Sequence, residues 1–226
     1  ETRTPFVNPI DGQNVNRVFP GKKYGTVSEQ ITYTIYHDII KRSDAFMDLH
    51  SGDMYEEIPW HTCAQRVGNK AVDEMSEKLA CLFDVELLNI MGKGIDDVSA
   101  TEDEQGTYFA GLQSGLTSVG NAALAGVPSV LIEAGGIGTL DPAVVEMEIK
   151  GIKNCMCYLG MLEGTVDEDI PHKICYGMYI MKSKFGGMYF PDKVPGDYVK
   201  EGDKLGEMQN LRGEVVATFT SPLTGV

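Results

Sequence analysis

AFMDLHSGD, residues 45–53, is the stretch around which the chain is organised. It reads as a short apolar strand that ends in a polar cluster and a Ser51-Gly52 turn. An imidazole at the end of a buried strand is held rigidly beside the cleft that such a turn opens. His50 is therefore a candidate metal ligand or general base; the alternative is a hydrogen-bonded packing residue. Asp48 is expected to face away from it, across the strand, with at most a supporting role.

The flanking sequence predicts helices and strands in alternation. Thr26-Val27-Ser28-Glu29 fits a capping box. Ile31, Ile35 and Ile39 then recur on one helical face, in a helix that should end near Ser43. His37, on that helix, reads as a surface or satisfied histidine. Asn69 can cap a second helix, with Val72, Met75, Leu79 and Leu82 on one face. Residues 85–91 read as a buried strand. Residues 116–125 read as a third helix, stopped by Gly126 and Pro128. Asp141-Pro142 opens the longest helix, whose apolar stripe is Val145, Ile149, Ile152, Met156 and Leu159. Alternation of this kind indicates an α/β sheet domain.

Two further stretches carry chemistry. Residues 127–132 are a continuous apolar run, as expected of a central strand covered on both faces. The run ends in Glu133-Ala134-Gly135-Gly136. A carboxylate there is costly unless it faces a cleft, and burial should raise its pKa, which suits a general base. The glycines let the chain turn sharply and let a ligand approach. The other reading of Glu133 is a salt-bridged structural acid. Earlier, Asn14-Val15-Asn16-Arg17-Val18-Phe19-Pro20-Gly21 lies in a loop rich in turn formers. Arg17 beside Asn16 can hold a carboxylate by charge-assisted bonds, or can be an exposed surface turn. The acidic segment 92–106 lacks the spacing of a calcium loop and reads as solvated.

Composition narrows the classes. The 226 residues carry 19 Lys and Arg against 33 Asp and Glu, a net charge of −14. That argues against a nucleic-acid partner, which needs a basic face. No apolar run reaches the roughly 18 residues of a membrane span. Five irregularly spaced cysteines, an odd number, argue against a disulfide framework, and a reducing, cytoplasmic setting is expected. Cys155 and Cys157 suggest no metal site. The start, Glu1-Thr2-Arg3-Thr4, does not look native, so the absence of a targeting signal carries no weight.

After Gly164 the character changes to short alternating segments punctuated by Gly and Pro, a compact all-β module. Residues 1–164 are expected to form the α/β domain and 165–226 the β module. The turns Pro195-Gly196-Asp197 and Glu201-Gly202-Asp203 resemble those of a biotinyl- or lipoyl-carrier barrel. The hairpin that would carry the modified Lys reads Glu207-Met208-Gln209-Asn210-Leu211 and has none.

Three motifs in this order resemble the succinylglutamate desuccinylase/aspartoacylase family. They are DGQNVNRVFPG at residues 11–21, MDLHSG at 47–52 and IEAGG at 132–136. The resemblance implies a mixed-sheet, zinc-carboxypeptidase-like domain followed by a small carrier-like β barrel. It implies a zinc-dependent hydrolase of the amide bond in an N-acyl amino acid or similar small carboxylate. His50 would be a zinc ligand. Asn16 and Arg17 would bind the substrate carboxylate, and Glu133 would be the general base for a metal-activated water.

The sequence departs from that family in two respects. The family's other zinc ligands come from an upstream His-x-x-Glu, which is absent here. The expectation is therefore that the native protein has a further N-terminal part, and that its C-terminal end is also cut. A non-catalytic protein that keeps the carboxylate pocket is the second reading; a carrier role for the β module is a third. Aspartoacylases also carry a Tyr and an Arg shortly before the catalytic Glu, and residues 115–123 have neither. Neither the acyl group nor the amine is assigned, and whether the chain forms a homo-oligomer is left open.

Overall fold

The structure is a computed structural model that describes residues 6–92, 101–102, 106–109 and 117–226. Its regular elements are α1 (Val27–Thr34), β1 (Phe46–His50), β2 (His61–Arg66), α2 (Lys70–Ala80), β3 (Leu87–Gly92), β4 (Thr101–Glu102) and β5 (Gly106–Phe109). There follow α3 (Ser118–Leu124), β6 (Ser129–Glu133), α4 (Pro142–Tyr158), β7 (Lys173–Tyr176), β8 (Met178–Met181), β9 (Met188–Pro191), β10 (Lys204–Gln209) and β11 (Val215–Thr220). Most of the acidic segment 92–106 and the run 114–116 lie outside the described residues.

The chain divides into two compact units. One comprises the described residues of Glu1–Ala100 and Phe109–Met178; the other, those of Thr101–Tyr108 and Tyr179–Val226. The first unit is built on a five-stranded mixed sheet in the order β1-β6-β2-β3-β7. β1 and β6 are parallel, β6 and β2 antiparallel, and β2, β3 and β7 parallel. Strand β2 had no counterpart in the sequence reading. Side chains alternate between the two faces of the sheet. One face sends Ala64, Leu88, Ile90, Val130 and Ile132 into the main core with Leu79, Phe83 and Val144. The other face carries Asp48, His50, Glu133 and His61.

Two of the three expected N-caps form as read, while Asn69 precedes α2 without a side-chain capping bond. Thr26 and Glu29 form the reciprocal capping box, and Asp141 accepts from Ala143 N with Pro142 in the first turn. The stripe of Val72, Met75, Leu79 and Leu82 over α2 and its C-terminal turn packs into the core as expected, whereas those of α1 and α4 depart. After α1 the chain makes a π turn over Ile35–Ile39 and a 3-10 turn over Ile40–Arg42. Ile31 and Ile39 are exposed, while Ser28, Thr32 and Ile40 are buried. The wider π turn shifts the inward position from Ile39 to Ile40, and upstream of it Ser28 and Thr32 point inward because their partners are polar. Ser28 N and Oγ donate to the Asp11 carboxylate at 2.7 and 2.9 Å. This clamp docks the loop that contains Asn16 and Arg17.

In α4 the buried face is Val144, Met147, Gly151, Asn154 and Cys155, while Val145 and Ile149 are exposed. Gly151 is the point of closest contact. A Cβ there would lie 2.2 Å from Phe83 Cδ1. The apolar stripe is thus displaced by a residue with no side chain.

The second unit holds two three-stranded sheets, β11-β10-β9 and β4-β5-β8. The first is antiparallel throughout. The β10–β11 hairpin turns at Asn210, whose Oδ1 accepts from Arg212 N and Glu214 N at 2.9 and 3.1 Å. No lysine stands at this tip. Among the described residues, no helix is long and apolar enough to cross a membrane. All five cysteines are free thiols.

Candidate active site

β1 and β6 run parallel and finish level, so His50 and Glu133 are register partners at their last residues. Register partners present their side chains on the same face, one strand spacing of about 4.8 Å apart. The chain is then cross-tied. Ala134 N donates to His50 O at 3.1 Å and Gly52 N to Gly135 O at 3.2 Å. Gly135 has φ +78°, so the expected sharp turn is present. The close approach at Gly136 is made by the protein itself. The Glu56 carbonyl oxygen would lie 2.4 Å from a Cβ on Gly136 and 2.5 Å from one on Gly52. The same oxygen accepts from Ile137 N at 3.0 Å.

These strand ends open on a cavity of about 940 Å³. Its polar wall includes Asn16, Arg17, Asp48, His50, Ser118 and Glu133; Phe19, Ile35, Ile39 and Phe46 line an apolar part. Asn14 Oδ1 accepts from Asn16 N at 2.8 Å and shapes the short 3-10 turn Val15–Arg17. Asn16 Oδ1 accepts from Ser118 N at 2.8 Å, and its Nδ2 is 3.5 Å from His50 Nε2. Arg17 Nη1 donates to Asn16 O at 2.8 Å. The rest of the exposed guanidinium is on the cavity wall.

Asp48 corrects the sequence reading. Its Oδ2 is 3.0 Å from His50 Nε2 and accepts from Ser118 Oγ. Residues two apart on a strand share a face, so Asp48 stands beside His50, not across from it. Asp48, Ser118 and Asn16 thereby form one polar network around the imidazole.

The electrostatics follow from this packing. The hydrogen bond to Asp48 raises the His50 pKa above its ordinary value; burial opposes it, the Asp48 and Glu133 charges add to it, and Arg17 subtracts. Burial raises the Glu133 pKa, as expected. The charges of His50 and His61 oppose that shift, and those of Glu56 and Asp48 reinforce it. Burial thereby makes the Glu133 carboxylate a stronger proton acceptor than a solvated one.

Among the described residues, no group of three or more His, Cys, Asp or Glu is placed to hold a metal ion. His50 is the one imidazole on the cavity wall, and its Nε2 already faces Asp48. These residues do not complete a zinc site, which needs three protein ligands and an open position.

The structure thus brings His50, Glu133, Asn16 and Arg17 to one cavity. Sequence reasoning missed Ser118 and His61. His61 could have been found from β2, whose His61, Cys63 and Gln65 alternate with the inward Thr62 and Ala64. Ser118 offered no signal beyond its place after the N-cap Thr117.

No family model matches the chain. It is similar to the N-alpha-acetyl-L-2,4-diaminobutyric acid deacetylase of Halomonas elongata, with 25% identity over 222 residues, 93% of this chain and 57% of that protein. Among solved structures it is similar to a succinylglutamate desuccinylase from Silicibacter sp. TM1040. That match has a TM-score of 0.80 at 21% identity and covers 97% of this chain and 63% of the other. The product-bound ectoine utilization protein EutE of Ruegeria pomeroyi gives a TM-score of 0.77 at 21% identity, with the same coverage. The chain therefore spans about 60% of the length of these relatives. The resemblance first carried by three short motifs extends to the fold.

Proposed function

We propose that this chain, which resembles the succinylglutamate desuccinylase/aspartoacylase family in motif order and fold, is the catalytic part of a hydrolase. Its substrate is an N-acyl amino acid or a similar small carboxylate, and the bond broken is the amide. The observation that supports this most is the level ending of β1 and β6, with His50 and Glu133 as partners on a cavity that Arg17 also lines. The deacetylase named above acts on a molecule of this class.

In this reading Arg17 pairs with the substrate carboxylate through donors not used by Asn16 O, and the Asn16 amide contributes a directed N–H. Holding the carboxylate fixes the amide at the strand ends. Glu133 takes a proton from the attacking water and returns it to the leaving amine, so the carboxyl ends as it began. Asp48 and Ser118 hold the His50 ring. Zinc is the proposed cofactor, with His50 as one ligand; it would polarise the amide carbonyl. The remaining ligands are not among the described residues, so no step is written through the metal. Residues 179–226, which begin later than the expected 165 because β7 joins the first unit's sheet, complete the reading as a carrier-like β module without an acceptor Lys at its hairpin tip, and the free thiols fit a cytoplasmic protein.

Zinc content and hydrolysis of N-acetyl amino acids, measured on full-length protein and on His50→Ala and Arg17→Ala, test this. The expected result is loss of zinc in His50→Ala and a raised KM in Arg17→Ala. Equal zinc in His50→Ala and wild type removes His50 as a ligand. A second reading, a binding protein that keeps the carboxylate pocket, is favoured by the lack of a three-ligand group among the described residues. It requires binding of N-acyl amino acids with no turnover after zinc is supplied.

A further inference from the structure

Glu133 has a neighbour on each side. On β1 its register partner is His50; on β2 it is His61. Partners across an antiparallel pair carry Cβ atoms about 4.5–5.5 Å apart on one face. The His61 ring is also pinned. Its Nδ1 lies 2.8 Å from the Pro59 carbonyl oxygen, which can only accept. Nδ1 therefore carries the hydrogen, and in the neutral ring Nε2 is left as the acceptor. The two histidines differ in this respect: the His50 Nε2 is committed to Asp48.

We propose that His61 is a positioning residue for Glu133, holding its carboxyl group from the side opposite His50. A neutral His61 accepts the O–H of the protonated acid through Nε2. A protonated His61 donates to the carboxylate through the same atom. Either state fixes the carboxyl orientation with no net loss of a proton from the pair. In this structure the two side chains stand as strand neighbours without a hydrogen bond between them, and the charge of His61 already acts against the burial of Glu133. The inference rests on the catalytic reading of Glu133 for its consequence in turnover, though not for the proposed pairing of the two side chains.

Two measurements on the full-length protein test it. In nitrogen-detected NMR of the histidine rings, His61 should be the Nδ1–H tautomer, and Glu133→Gln should shift its Nε2 resonance. An Nε2 resonance unmoved by Glu133→Gln overturns the proposal, whether or not the protein turns over substrate. In kinetics with an N-acetyl amino acid, His61→Phe should lower kcat by about tenfold or more at nearly unchanged KM. His61→Gln, which restores a polar group, should recover part of the loss. Unaltered kcat in His61→Phe, or equal losses in the Phe and Gln variants, contradicts a positioning role. A protein that shows the resonance shift but no turnover would retain this pairing and lose the proposed hydrolysis.

Discussion

Gly136→Ala probes the join between fold and site. Gly136 lies outside the left-handed region of φ, so the effect of an added methyl is steric alone. The added Cβ would fall 2.4 Å from the Glu56 carbonyl oxygen and 3.3 Å from Glu57 Cα. Both are backbone atoms, and no side-chain rotation relieves the overlap. The 56–57 segment must move, and the hydrogen bond from Ile137 N to Glu56 O goes with it. Overpacking of this kind together with one lost hydrogen bond destabilises by about 2–4 kcal/mol. For a chain of this size that is a fall of roughly 4–16 °C in thermal midpoint. Glu133 is three residues away, so turnover should fall as well. Gly126→Ala is the control. Nothing lies within 4 Å of its Cβ position, its φ is +87°, and it is remote from the Glu133 turn. It should lose about 1–2 kcal/mol from backbone strain and keep its kcat. Calorimetry and steady-state kinetics read both quantities. A Gly136→Ala protein with wild-type midpoint and rate would refute the crossing of residues 56 and 136 as described.

Other outcomes follow from the same geometry. Gly151→Ala gains helix propensity of about 1 kcal/mol but drives a methyl into buried Phe83, so it should lower the midpoint; Phe83→Leu in the same chain should recover part of the loss. A higher midpoint in Gly151→Ala alone would show that the helix does not seat there. His50 has a raised pKa through Asp48, so its contribution to stability is full below its ordinary pKa near 6.5 and is lost as pH rises through the folded value. Asp48→Asn should therefore be most destabilising at low pH within the range where Asp48 is ionised, with the difference narrowing as pH increases; a difference that widens with pH has the wrong sign. Burial raises the Glu133 pKa, so the ionised form is disfavoured by the fold. Glu133→Gln should accordingly be at least as stable as wild type at neutral pH, which chemical denaturation checks, and a clearly less stable variant would show that the carboxylate supports the fold.

Much of the candidate site, as a set of residues on one cavity, was legible because those residues sit at element ends. His50, Glu133 and their glycine turns stand where strand periodicity stops, and the polar residue after an apolar run is a local signal. Asp48 was misassigned despite an available rule, since positions two apart on a strand share a face. The α2 stripe held, with Val72, Leu79 and Leu82 buried, but those of α1 and α4 failed for a different reason. In α1 and α4 the closest contacts run through Ser28, Thr32 and Gly151, and hydrophobicity does not mark a residue buried for its hydrogen bonds or for its lack of a side chain. Strand β2 was passed over because its buried residues, Thr62, Ala64 and Gln65, are small or polar. The meeting of Asn16, Ser118 and Asp48 joins three distant segments, and no local pattern encodes it.

Hydrolysis of N-acetyl amino acids by zinc-supplied full-length protein, compared with its Glu133→Gln variant, tests most directly whether His50, Glu133 and Arg17 surround one reacting amide. Wild type should turn over, and the variant should retain substrate affinity while its kcat falls by about 10²–10⁴-fold. A variant that hydrolyses at nearly the wild-type rate would contradict it.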